Sequence, residues 1–360
     1  MTGSMNQVTA EEIFSIAPDL TEAALTATLD RLLVAGEIGD NRLAHYAGRL
    51  ARYYRNCCTT SPVPLWGGGL AVTPEMRRQA EVYLPLAVIL PAFSYLLRRA
   101  CRYEPYLPAA AILAADSWYD ALSTCRPLPV SADPAALLRQ LVRDDKARQL
   151  FLAAQLVPER FGGSFGRYSG QLEFLQDWLG RQGRRPIRIL DGACGSGELC
   201  YELAELLLAL ALTDAGTEVV GLTIERLELV AAAHGWFPHD PERAVEFRAR
   251  AGGCLAAGGG RLIRFVAGDL RCGRECPEGE FDLVICNGLL GGPLLHGKAE
   301  LAGVVAGLAG RMKKGGLLVA ADRFHDGWRR AVPRELLEQL LGGAGLRPVA
   351  CPDGLAAIRP

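Results

Sequence analysis

Residues 186–198 read Pro186-Ile187-Arg188-Ile189-Leu190-Asp191-Gly192-Ala193-Cys194-Gly195-Ser196-Gly197-Glu198. The stretch predicts a buried strand, then a tight loop of small residues, then the first turn of a helix. Ile187, Ile189 and Leu190 are β-formers that follow Pro186, as suits a central parallel strand. Gly192, Ala193, Gly195, Ser196 and Gly197 let the backbone turn sharply and let a ligand come close to it. Beyond Gly197, Leu199, Leu203, Leu206, Leu207 and Leu210 recur at helical spacing.

The charges narrow the ligand. Asp191 ends the strand and Glu198 stands in the first helical turn. A dinucleotide site sets a pyrophosphate against a helix N-terminus, whose free N–H groups favour an anion. Two carboxylates there repel a pyrophosphate. They suit a ligand with an ammonium group and no phosphate, and S-adenosylmethionine is such a ligand. The alternative is that both acids cap the turn and complement the helix dipole.

Length and composition bound the rest. The 360 residues suffice for one large or two ordinary domains, and half of them are hydrophobic, enough for a sizeable core. The formal net charge of -1 gives no global basic field, so nucleic acid is not expected as a partner, and Arg98-Arg99 and Arg184-Arg185 read as solvated faces. The 11 cysteines are scattered, and several, such as Cys200 and Cys286, fall in apolar stretches. Free buried thiols in a reducing, cytoplasmic compartment are the expectation. Cys272 and Cys276 flank a short loop without a second pair, so no metal site is expected. The N-terminus lacks a basic segment followed by an apolar run, so no signal peptide is expected. The apolar stretch 83–97 is short for a membrane span and is interrupted by Pro85 and Pro91. It reads as a buried helix pair, and no membrane span is expected.

Along the chain, residues 1–155 predict an all-α domain and residues 156–360 an α/β domain. Thr9-Ala10-Glu11-Glu12 is a capping-box pattern before a short helix through Ile16. Further helices are expected over 20–35, 42–54, 74–99, 108–122 and 134–142, with a loop over 61–69. Residues 29–39 look like a fragment of a helix-turn-helix without its basic recognition helix. Around Phe165 and Arg167 lies a glycine- and aromatic-rich transition. It either folds over a pocket and grips an acidic substrate, or packs as an ordinary linker. A helix over 171–179 then leads into the opening strand. Strands are expected over 218–222, 262–266, 281–286 and 317–321, and helices over 225–233, 301–312 and 333–341. This alternation predicts a doubly wound, Rossmann-like parallel sheet. Residues 347–351 and 355–358 close it as an antiparallel hairpin. In such a sheet a ligand sits at the carboxyl ends of the strands, where Asp191, Thr223, Glu225, Asp269 and Asn287 fall.

Residues 187–360 resemble the class I S-adenosylmethionine-dependent methyltransferases. The resemblance is carried by the glycine loop, Gly268-Asp269-Leu270, Phe281-Asp282-Leu283-Val284 and Met312-Lys313-Lys314-Gly315-Gly316. Within the class the chain is most similar to the chemotaxis-receptor glutamate methyltransferases, through the helical first half, the Ser164-Phe165-Gly166-Arg167 linker and an insertion at 236–260. The resemblance implies a bound S-adenosylmethionine. Asp191 would receive its ammonium group, directly or through water. Gly192, Ala193 and the Gly195–Gly197 backbone would lie against the methionyl and ribose part. Asp269 would accept from the adenine amino group, and Leu270, after Gly268, would donate its backbone N–H. Asn287 and Gly288 would line the methyl-transfer side.

Three departures stand out. The class has an acid at the end of its second strand for the ribose hydroxyls, where this chain has Thr223. Glu225 either substitutes or serves as a first-turn helix acid. Asn287-Gly288 and Gly292 replace the arginine-asparagine pair and the later tyrosine of the chemotaxis enzymes, which leaves the acceptor unidentified: a protein carboxylate or a small molecule. Ala193 replaces the first loop glycine. A hydroxyl or amine acceptor would want a base. His296, after the fourth predicted strand, and His325, after the fifth, are placed for that role, with Asp322 near the pocket. A rival expectation is a non-catalytic module that holds S-adenosylmethionine while the helical half binds a protein partner. A nucleotide-dependent oxidoreductase is a third.

Overall fold

The computed structural model describes residues 14–61, 73–128, 131–157, 165–273, 276–321 and 331–360. The expected capping box at 9–12, Asp322 and His325 lie outside the described residues.

Side-chain caps start the helices of the first half. Thr21, Asp40, Thr73, Ser117, Asp133 and Asp144 each accept a backbone N–H from the first turn that follows. The helices are α1 (Glu22–Leu32), α2 (Asn41–Thr60), α3 (Pro74–Tyr83), α4 (Leu86–Ala100), α5 (Trp118–Ser123), α6 (Pro134–Arg143) and α7 (Asp145–Leu156). The helical stretch expected over 74–99 is a pair of helices bent by 79°. Pro85 cannot donate to the ladder and disfavours helical geometry at Leu84, so the chain turns there. Helix α4 forms the centre of this half, with Ile89, Ala92, Phe93, Leu96 and Leu97 wholly buried. Among the described residues no single helix is long and apolar enough to cross a membrane.

The second half supplies most of the sheet. Its strands are β1 (Ser15–Ile16), β2 (Arg188–Asp191), β3 (Glu218–Thr223), β4 (Ile263–Ala267), β5 (Phe281–Ile285), β6 (Met312–Ala321), β7 (Arg347–Val349) and β8 (Gly354–Ile358). Their order is β1-β4-β3-β2-β5-β6-β8-β7. The five strands β4-β3-β2-β5-β6 are parallel, and β8 and β7 close one side as the antiparallel hairpin. The fold is thus α/β and doubly wound. One element departs from expectation. Residues 15–16 form a strand, not a helix end, and Ser15 and Ile16 pair antiparallel with Val266 and Phe265. The edge of β4 offers unpaired backbone groups, and the passing chain satisfies them: the Ala267 N–H also donates to the Phe14 carbonyl at 2.9 Å.

Helices α8 (Ser169–Gly180), α9 (Glu198–Ala209), α10 (Arg226–His234), α11 (Pro241–Ala256), α12 (Lys298–Gly310) and α13 (Arg334–Gly343) complete the wrapping. The stretch 236–260, expected as an insertion, is mainly α11. Alternate strand residues enter two cores: Ile189, Val219 and Phe265 face one, and Leu190, Val220 and Val266 face the other. The first core continues without interruption into the helical half. Polar contacts from two residues, His234 and Glu225, help fasten that junction. His234 of α10 meets the Thr28 hydroxyl at 2.9 Å and the Asp19 carbonyl at 2.6 Å. Glu225, just before α10, reaches back to residues 103–106, as described next.

Candidate functional site

A cavity of about 200 Å³ lies at the carboxyl ends of β2, β3, β4 and β5. The loop after β2 forms its floor. Asp191 ends β2 with 2% of its surface exposed, and its carboxylate accepts from the Ala193 N–H at 3.3 Å and the Cys200 thiol at 3.7 Å. Burial pushes this carboxyl up to about 7. Gly192, Ala193 and Gly195 line the cavity. Gly197 does not line it, contrary to the expectation that its backbone touches the ligand. Its φ is +84°, and a Cβ there would stand 2.7 Å from Ala232 and 2.8 Å from the Phe265 ring. The glycine is required because helix α9 packs against α10 and β4 at that point.

Glu198, at the start of α9, lines the cavity but is already paired. The Ser196 hydroxyl donates to it at 2.8 Å and Arg243 of α11 at 2.7 Å. One turn further, Glu202 accepts from the Gly166 N–H, and burial raises its carboxyl above the usual range.

The end of β3 resolves the choice left open between Thr223 and Glu225. Glu225 is the N-cap of α10 and accepts from the Leu227 N–H at 3.0 Å. It also accepts from the Tyr103 hydroxyl and from the Tyr106 N–H at 2.9 Å. Its carboxylate borders the cavity but is engaged by three donors, two of which, from Tyr103 and Tyr106, dock the helical half. The acid with capacity to spare is Glu228, one turn into α10, which accepts from the Thr223 hydroxyl and lines the cavity. Enclosure pushes Glu228 up to about 8, with the Thr223 hydrogen bond acting in the opposite sense. Neither Asp191 nor Glu228 forms an ion pair among the described residues.

After β4, Gly268, Asp269 and Leu270 line the cavity. Burial alone would raise the Asp269 carboxyl. The Arg271 side chain outweighs burial and holds it below the usual range, with contacts of 2.7–3.0 Å to both carboxylate oxygens. Arg271 in turn stacks on the Tyr106 ring at 5.2 Å, so the helical half walls this end of the cavity. The wall is missed by sequence reasoning, since nothing local to Tyr106 signals it. Glu228 is missed too, although its place in the first turn of a helix after a predicted strand was a usable signal.

After β5, Asn287 and Gly288 line the cavity. The Asn287 amide is engaged at both its oxygen and its nitrogen. Its Nδ2 donates to Gln171 at 2.7 Å, and its Oδ1 accepts from Gln171 and, at 2.7 Å, from the Ala321 N–H. Asn287 therefore holds α8 to the strand ends. Arg167 reaches the cavity with its guanidinium 5.3 Å from the Tyr168 ring centre, and Tyr168, also at the wall, is nearly buried. The structure does not bring His296 to the site. The turn after β5, closed by a Gly291 N–H to Leu295 carbonyl bond of 2.9 Å, buries Leu295. His296 is turned outward and exposed, where among the described residues it meets the Pro293 carbonyl. Among the described residues, no cluster of His, Cys, Asp and Glu is placed to hold a metal ion.

No protein-family model and no curated protein matches the chain. Solved structures overlap with part of it. An amino pentose methyltransferase from Micromonospora echinaspora, solved with S-adenosylmethionine bound, aligns at 18% identity and a TM-score of 0.36, over 55% of this chain and 93% of that one. Magnesium protoporphyrin IX methyltransferase from Synechocystis PCC 6803, also with S-adenosylmethionine, aligns at 19% identity and 0.35, over 56% and 88%. An S-adenosylmethionine-dependent methyltransferase from Clostridium acetobutylicum aligns at 14% identity and 0.35, over 53% and 90%. These neighbours are methyltransferases, but at such distance no function is argued from them. The chemistry of the cavity has to carry any functional reading.

Proposed function

We propose that this chain is an S-adenosylmethionine-dependent methyltransferase acting on an unidentified acceptor. The observation that carries the reading is a pair of enclosed carboxyls, Asp191 and Glu228, facing one cavity with neither in an ion pair among the described residues. A pyrophosphate there would meet Asp191, Glu228 and the Arg243-bound Glu198. A sulfonium nucleoside with an ammonium group meets complementary charge.

In this reading Asp191 receives the ammonium group, Glu228 with Thr223 receives the ribose hydroxyls, and the segment from Gly268 to Arg271 borders the base. Gly288, at φ +69°, leaves the methyl-transfer side without a side chain. The sulfonium supplies an activated methyl carbon, so the chain's main task is to hold the acceptor in line with it and to exclude water. Tyr168, Arg167 and Leu289 border that side. The narrower likeness to chemotaxis-receptor enzymes is supported by the helical half and by Arg167 at the cavity. The non-catalytic alternative is favoured by Asn287, whose amide is committed to Gln171 and Ala321.

Calorimetric titration tests the reading. S-adenosylmethionine and its demethylated product should bind and NAD should not. Retention of NAD with no affinity for the sulfonium would overturn it. Turnover with labelled S-adenosylmethionine on cell extract separates enzyme from module: tight binding with no labelled acceptor favours the module.

The carboxyls also set a pH dependence. Below about pH 7 the free protein holds protons on Asp191 and Glu228 that a cationic ligand must displace. Affinity should therefore rise as pH rises from about 6 to about 7.5, by up to about tenfold per unit for each group that ionises. Above that range the ligand's own ammonium begins to lose its proton. Proton release on binding, measured by calorimetry in buffers of different ionisation enthalpy, checks the sign. Uptake, or a flat profile, would contradict it.

A further inference from the structure

Helix α2 contains no aspartate or glutamate in its 20 residues, yet it carries Arg42, Arg49, Arg52 and Arg55. Its inner face buries Leu43, Ala47, Leu50 and Cys57. On the opposite face Arg42, His45, Arg52, Tyr53 and Asn56 are exposed and Arg49 is half-exposed. These positions share one helical face and extend along about 20 Å of it. None of the four arginines forms an ion pair among the described residues. The adjacent carboxylate, Asp40, is already engaged by the Arg42 and Leu43 N–H groups, the Tyr95 hydroxyl and Arg99.

The stripe is organised by aromatic rings. Arg42 stacks on Tyr95 at 4.6 Å and on Tyr46 at 5.7 Å, and Arg49 lies 6.0 Å from the Tyr46 ring centre. Stacking holds a guanidinium flat and reduces the freedom it loses when its N–H edge binds phosphate. Arg49 also reaches the Val88 carbonyl, and Arg139 of α6 the Ala47 carbonyl, both at 3.4 Å. Tyr53 is 42% exposed, and among the described residues it is the aromatic one of the exposed large hydrophobic side chains.

We propose that the outer face of α2 is a docking surface for single-stranded nucleic acid. Unpaired arginines track a phosphate backbone, and an exposed ring offers a base a face to stack on. A lipid surface fits less well, because the apolar face of α2 is turned inward and Tyr53 alone is exposed among its large apolar residues. An acidic polypeptide would use the charges but has no need of the ring. The net charge of -1 for the whole chain does not oppose this, since the field over one helix is local.

The test uses the full-length protein and a fluorescein-labelled oligouridine of twelve nucleotides, followed by anisotropy at low salt. Binding in the micromolar range is expected, weakening steeply as salt rises. The triple variant R49Q/R52Q/R55Q should weaken it at least tenfold and flatten the salt dependence. Tyr53→Ala should weaken it about fivefold or more with the salt dependence unchanged, as loss of one stacking platform predicts. Melting curves monitored by circular dichroism establish that each variant is folded. No binding at low salt overturns the proposal. So does labelled polyglutamate binding as tightly as the oligonucleotide with Tyr53→Ala indifferent, which would assign the surface to an acidic polypeptide. Because the readout involves no S-adenosylmethionine, it stands or falls separately from the methyltransferase reading.

Discussion

Asp191→Asn is expected to abolish binding of S-adenosylmethionine while making the protein more stable at pH 8. The two effects share one cause. Asp191 is almost wholly buried, and its carboxyl titrates at about 7 instead of near 3.8. Between those values the folded state holds a proton that the unfolded state has released. Stability contributed by the protonated form is therefore complete at low pH and is lost as pH rises from about 4 to about 7. Asparagine keeps the acceptor for the Ala193 N–H and removes the buried charge. At pH 8 it should stabilise by roughly 2–4 kcal/mol, the value of a shift of that size at its upper end. At pH 4 the difference should vanish. Binding should fall at least about 100-fold, because the neutral amide leaves the ammonium without its counter-charge. Urea unfolding at the two pH values and calorimetry on the same samples check both signs. A variant that binds within tenfold of the parent would remove Asp191 as the anchor. A variant that is less stable at pH 8 would show that the enclosure of Asp191 is not costly.

Arg148→Met is expected to have the largest effect on stability. Arg148 is 1% exposed and is the hub of the helical half. It donates to the Leu141 and Val142 carbonyls at the end of α6, at 2.9 and 3.2 Å, and to the Val34 and Gly36 carbonyls after α1, at 2.9 and 2.7 Å. It also pairs with Asp145, whose carboxylate accepts from the Gly36 N–H at 3.0 Å. One guanidinium thus closes the C-terminal ends of two helices. Methionine fills similar space but leaves the Leu141, Val34 and Gly36 carbonyls without this donor, while Val142 keeps the Ile38 N–H and Asp145 the Gly36 N–H. The loss should be roughly 3–5 kcal/mol. Lysine should recover part of it, since a single ammonium cannot reproduce the planar fork. The urea midpoint is the measurement. A shift corresponding to less than about 1 kcal/mol would mean that water replaces the guanidinium at these carbonyls. Because the first core runs from this half into the sheet, the two halves should unfold together and not as separate transitions.

Much of the sheet was legible because its signals are local. β-branched and leucine runs of four to six residues, each followed by small or acidic residues, mark β2, β3, β4 and β5 wherever the chain is read. The hairpin of β7 and β8 is announced by Pro352-Asp353-Gly354. Asp191, Gly192 and Asp269 could be named because strand ends in this fold converge on one cavity. What misled was also physical. His296 stands shortly after a strand end, but one tight turn that buries Leu295 is enough to send it outward. Gly197 looked like a ligand contact, whereas it answers to Phe265 and Ala232, residues far along the chain. Residues 15–16 carry no periodicity, and their strand exists only because β4 presents an open edge.

By itself, then, the sequence determined a doubly wound sheet with an acidic, glycine-rich loop after its opening strand, because strand period, glycine placement and first-turn charge are properties of neighbouring residues. Only the tertiary structure decided that Glu225 docks the helical half while Glu228 faces the cavity, and that Tyr106 walls it. It also decided that Arg42, Arg49 and Arg52 of α2 share one outward face, without an ion pair among the described residues. Those facts depend on which distant groups reach a carboxylate or guanidinium first, and competition of that kind is settled by packing in three dimensions.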